Sequence, residues 1–130
     1  MSITGQLCGG VTAALMLVTG CVLCSSTITV VASPSRRMTA HVLENDCGAT
    51  VDWARQVTLT HGSEEPIRGW NEGVIEQGTV LRIGGQPQIE VHWTSDTSVT
   101  IRFRKEHVED PVFKAATSWE GVLVTLEEIH

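Results

Sequence analysis

The sequence predicts an all-β fold: a small antiparallel meander or open barrel of about six or seven strands, behind an apolar N-terminal leader or transmembrane helix. Three observations predict it. Apolar and polar side chains alternate strictly in two adjacent runs, Ile89-Glu90-Val91-His92-Trp93 and Val99-Thr100-Ile101-Arg102-Phe103. Turn-forming residues cluster between short runs throughout the body, and no part of that body shows a helical period. Every charged side chain and all five histidines follow Pro34, so an apolar segment (residues 1–35) precedes a single small water-facing domain (residues 36–130).

Leu7 to Cys24 is an uninterrupted stretch of apolar and small residues. As a helix it would be about 27 Å long at roughly 1.5 Å per residue, close to the thickness of a bilayer core. Three fates are open to it. Val18-Thr19-Gly20-Cys21 has the form of a lipobox, which makes Cys21 a lipidation site. Val30-Val31-Ala32 has the compact residues of a signal cleavage site, with the cut after Ala32. Retained whole, the segment is a membrane anchor. Arg36 and Arg37 follow the apolar run, where the positive-inside tendency would hold the body in the cytoplasm. The apolar run itself points to the cell envelope, with the periplasmic or extracellular side favoured.

The strands follow in order. Met38, Ala40 and Val42 alternate with Thr39 and His41, and Val57 and Leu59 with Gln56, Thr58 and Thr60, which argues for one buried and one wet face. Thr79 to Ile83 is short and closed by Gly84-Gly85. Gln88–Thr94 and Val99–Arg104 flank a Ser- and Thr-rich turn and form an antiparallel hairpin with one buried and one wet face. Val112–Ala116 and Val122–Glu127 frame Trp119-Glu120-Gly121, a last hairpin. His61 to Gly78, with four glycines and Pro66, reads as a long loop.

Net charge is −6, all of it in the body. Nucleic acid and anionic lipid are thereby disfavoured as partners of the body, leaving the N-terminal segment as the membrane contact and an unidentified protein as the further partner. Three of the four cysteines lie in the apolar segment, so the body is no disulfide scaffold. Cys21-x-x-Cys24 has redox spacing without a βαβ context. Cys47 stands between acidic neighbours that oppose thiolate formation, and His41 is about 20 Å away along an extended chain. Glu106-His107-Val108-Glu109-Asp110 offers metal-ligand types without a second His at helical spacing, and reads as a charged loop. No catalytic motif, metal set or cofactor signature is present. Trp93 is in phase with Ile89 and Val91 and belongs to the core. Trp53, Trp70 and Trp119 lie at turns or loops, where they form a binding surface or lid a small core.

Ser33-Pro34-Ser35-Arg36-Arg37, then Glu44-Asn45-Asp46-Cys47-Gly48-Ala49-Thr50 and Gln56-Val57-Thr58-Leu59, resembles a group of small bacterial exported, lipoprotein-like proteins with an Asp-Cys-Gly-Ala-Thr motif. The resemblance implies an envelope location and a β fold, makes Asp46, Cys47, Gly48 and Thr50 a structural motif, and implies no activity. The function expected is that of a non-enzymatic envelope domain acting through protein contacts. The alternatives are a ligand- or carbohydrate-binding module using the loop tryptophans, and a cysteine-dependent enzyme at Cys47.

Overall fold

The computed structural model describes residues 25–45, 53–66 and 78–130. Among them the chain is all-β, as the alternation predicts, and forms nine strands in two sheets. The first sheet has the order β1-β2-β3-β4-β7, built from β1 (Ser25–Ala32), β2 (Met38–Asn45), β3 (Ala54–His61), β4 (Thr79–Gly84) and β7 (Val112–Ala115). The second has the order β5-β6-β9-β8, from β5 (Gln88–Ser95), β6 (Ser98–Arg104), β9 (Val122–Glu128) and β8 (Ser118–Trp119).

One core lies between the sheets. The first contributes Met38, Ala40, Val42, Val57, Leu59 and Leu81; the second contributes Trp93, Val99, Ile101, Phe103, Val122 and Val124. Register makes these rows continuous. Val31 opposes Ala40, which opposes Leu59, and Val42 opposes Val57, which opposes Leu81. In the other sheet Trp93 opposes Val99, which opposes Val124. Each row is the alternate-residue set that the sequence places on one strand face.

Four features differ from the sequence expectation. First, Ser25–Ala32, expected as the tail of the leader, is a strand. It pairs antiparallel with β2 from Ser25↔Asn45 to Ala32↔Thr39, with a bulge at Ile28. Its β-branched, charge-free composition suits a half-buried strand as well as a membrane segment, and Val31 packs against the core. Second, Ser118–Trp119 adds a strand too short to show a period. Third, β6 and β9 pair in parallel. Between them the chain crosses to the first sheet as β7 and returns, and a crossover is what parallel neighbours require.

Fourth, the polar face of β2 and β3 is not wet. Thr39, His41, Asn45, Gln56, Thr58, Thr60 and Thr79 are all buried. Buried polar groups must be hydrogen-bonded, and these are bonded largely to each other. Asn45 Nδ2 donates to Gln56 Oε1 (2.7 Å), and Gln56 Nε2 donates to the hydroxyls of Thr58 (3.0 Å) and Thr79 (3.1 Å). The Thr58 and Thr79 hydroxyls bond one another at 3.1 Å. His41 Nε2 lies 2.9 Å from the Thr60 hydroxyl, which donates to Glu64 O.

Turn chemistry closes the strands. Ser33-Pro34-Ser35-Arg36 is a tight turn in which Arg36 N–H donates to Ser33 O (2.9 Å) and Arg36 takes the left-handed φ of 66°. Gly78 has φ +79° and lies so close to β3 that a Cβ there would sit 2.6 Å from the Leu59 carbonyl oxygen, so only glycine fits the entry to β4.

Candidate functional site

Strand register sorts the sequence-predicted residues to two ends of the molecule. Trp53 immediately precedes β3, at the end where Ser25 opposes Asn45, Asn45 opposes Ala54 and Ala54 opposes Gly84. Trp119 lies at the other end, its ring centroid 5.1 Å from that of His61, which opposes Met38. Trp53 and Trp119 therefore do not share a site. Ala32 is the last residue of β1, opposite Thr39, directly before the turn. Cys21, Asp46, Cys47, Gly48, Thr50, Trp70 and the apolar run Leu7–Cys24 lie outside the described residues. No helix among the described residues is long and apolar enough to cross a membrane.

The end bearing Trp53 holds an open cleft of about 280 Å³ between Trp53, the β4–β5 turn and the loop from β6 to β7. Backbone bonds fix its walls: Gly85 N–H donates to Trp53 O (2.8 Å), and Gly84 N–H to Pro111 O (2.9 Å). Glu106 clasps the loop to the turn, and Asp110 closes the loop on itself. Glu106 Oε1 accepts from Gln86 N–H (3.1 Å), and Asp110 Oδ2 accepts from His107 N–H (2.9 Å). Gly85, at φ +78°, leaves space for this clasp, since a Cβ there would stand 2.7 Å from Asp110 Oδ2.

Glu106, His107 and Asp110 place one ligand atom each within 4.8 Å of the others, so a cation bound here would draw on these three. Their geometry is already accounted for by the backbone donors they hold. His107 Nδ1 is 3.6 Å from Asp110 Oδ2 and 3.9 Å from Glu106 Oε1, contacts that become ion pairs only when the imidazole is protonated.

Exposed apolar side chains stand among the charged ones on the outer surface of this end. Trp53 is 41% exposed, Val112 41%, Phe113 59% and Val108 87%. The Arg82 guanidinium lies 5.9 Å from the Phe113 ring centroid. Phe113 and Val108 were not singled out by sequence pattern. Phe113 sits in Val112–Ala116, expected as one arm of a last hairpin with Val122–Glu127; instead that arm is the edge strand β7 of the first sheet, and β9 pairs with β8.

The opposite end is polar and cross-linked. Half-buried Trp119 packs on the core and tilts 37° against His61, whose Nε2 is 2.9 Å from Glu120 Oε1. Ser35 N–H, from the β1–β2 turn, donates to Asp96 Oδ1 (2.9 Å), in the β5–β6 turn, and so joins the two sheets. That bond is the main reason the Asp96 carboxyl is held below its usual 3.8; the Ser35 hydroxyl, the Ser33 hydroxyl and the charge of Arg37 add to it. Close to this end, the Trp93 indole N–H donates to Val31 O (2.9 Å), tying β1 to the opposing sheet.

No protein-family model, curated protein or solved structure matches this chain. The class is therefore defined by the architecture: a two-sheet β domain with an open cleft lined by aromatic and acidic side chains at one end, and a polar, cross-linked turn cluster at the other.

Proposed function

We propose that this chain is a non-enzymatic β domain held at the cell envelope by its apolar N-terminal segment and acting through contacts with a protein partner. The observation that carries the proposal is the position of β1. The strand begins at Ser25, directly after the apolar run ending at Cys24, and is paired from Ser25 onward. A domain joined without a spacer to an 18-residue apolar run is confined to the surface that receives the run.

The same strand bears on how the leader is used. A cut after Ala32 would sever β1 from β2 at their shared turn and remove Val31 from the core, whereas lipidation at Cys21 or retention as an anchor keeps the strand. Arg36 and Arg37 belong to the turn at the far end of β1, roughly 25 Å from its start at about 3.3 Å per residue. They are part of the folded domain rather than a flank of the apolar run, which supports the outward-facing placement. The histidines and acids of the described residues that stand closest together serve as contacts between turns and strands, which supports a binding role over a catalytic one.

Cell fractionation tests the proposal. The full-length chain is expected in the membrane pellet, released by detergent and not by high salt. A full-length chain in the soluble fraction would overturn it.

A further inference from the structure

The register that makes β1 a strand also fixes which end of the domain faces the tether. Ser25 stands opposite Asn45, Asn45 opposite Ala54, Ala54 opposite Gly84, and Ile83 opposite Val112. The chain that carries residues 1–24 therefore joins the domain at the end that holds Trp53 and the cleft.

That same end presents the exposed apolar side chains Trp53, Val108, Val112 and Phe113. Three of the four are more than two-fifths exposed by a clear or bare margin, and Val108 is almost entirely so, on a domain small enough that such side chains stay in water only at a cost in free energy. Away from that end, among the described residues, the exposed large apolar side chains are Ile28 and Val30 on the edge strand β1 and Leu123 on β9.

We infer that the Trp53 end of the domain rests on the interfacial layer of a lipid bilayer, with Trp53, Phe113 and Val108 at headgroup depth and the Trp119 end pointing away. This orientation rests on the tether proposed above. Two independent features meet in it: the point where the apolar run ends, and the apolar surface beside that point. Indole is the side chain that favours the headgroup region, having an apolar body and one polar N–H.

Net charge selects the lipid. Near the apolar residues the signs balance, with Glu106, Glu109 and Asp110 beside Arg82, Lys105 and Lys114, so the local surface offers no basic patch for an anionic headgroup. The chain as a whole carries −6. A zwitterionic surface accommodates this end, while an anionic one repels it.

The test uses the full-length chain in a Trp70→Phe background, reconstituted into phosphatidylcholine vesicles with and without acyl chains brominated near the headgroup. Flotation of the vesicles reports the tether, and tryptophan quenching reports the orientation. The brominated lipid is expected to remove up to roughly a third of the emission, one indole of the three that remain. This quenching should disappear in Trp53→Phe and persist in Trp119→Phe.

Val108→Asp is the second variant. Its side chain is solvent-facing, so folding is preserved, and quenching should fall because a carboxylate now enters the interface. Adding anionic lipid should leave the quenching the same or weaker. A chain that floats but is quenched equally with and without Trp53 overturns the orientation and leaves the tether standing. Quenching seen only with anionic lipid overturns the choice of surface. A chain that does not float overturns the tether and the orientation with it.

Discussion

Asp96 joins two turns through one exposed polar contact. Its carboxylate accepts the Ser35 N–H and joins the turn of one sheet to the turn of the other. Because folding holds its pKa below 3.8, the contribution is fully present above that pH and is lost as the pH falls through the lowered value. Urea titrations of the wild type and Asp96→Asn should therefore differ by a constant amount between about pH 5 and 7 and converge in more acid solution. A difference that does not change with pH would show that the charge is irrelevant. The contact was not legible in the sequence: Asp96 and Ser35 are 61 positions apart, and each reads as an ordinary turn residue. Cys47 shows the reverse case. Its acidic neighbours argue against a thiolate from sequence alone, and its place lies outside the described residues.

Strands show a different balance between pattern and context. The rows Val99, Ile101, Phe103 and Met38, Ala40, Val42 were readable because one face of each is apolar and the period is two. The opposite face of β2 and β3 was misread as wet, since Thr, Gln and Asn look the same in a sequence whether they meet water or each other. Gln56 is central to that face. It accepts from Asn45 and donates to Thr58 and Thr79. Gln56→Leu, similar in volume, should cost about 2–3 kcal/mol by leaving the Asn45 donor and the Thr hydroxyls short of partners, read as a lowered urea midpoint with an unchanged slope. A neutral substitution would mean that the ladder exchanges freely with water. Strand β1 was missed for a different reason: a charge-free, β-branched run satisfies a membrane segment and an edge strand equally. The structure separates the two through its partners. Its bulge at Ile28 and the Trp93 bond to Val31 O also interrupt its free edge, which would otherwise invite another strand.

At the scale of the whole molecule, the division at Pro34 shifts. The absence of charge before it marks composition, while strand β1 already runs from Ser25, before that boundary. The all-β class was legible. The arrangement into two sheets with a parallel pair was not, because it depends on β7 leaving one sheet for the other, a choice made by tertiary packing rather than by any local pattern. The placement of Trp53 and Trp119 at opposite ends was equally hidden, since it follows from register. Strand β1 is both an integral strand of the first sheet and the link to the apolar segment. The intact mass of the chain extracted from membranes tests this most directly. The expected polypeptide begins upstream of Ser25, either at Cys21 with a lipid attached or further toward Met1. A chain that begins at Ser33 would contradict it.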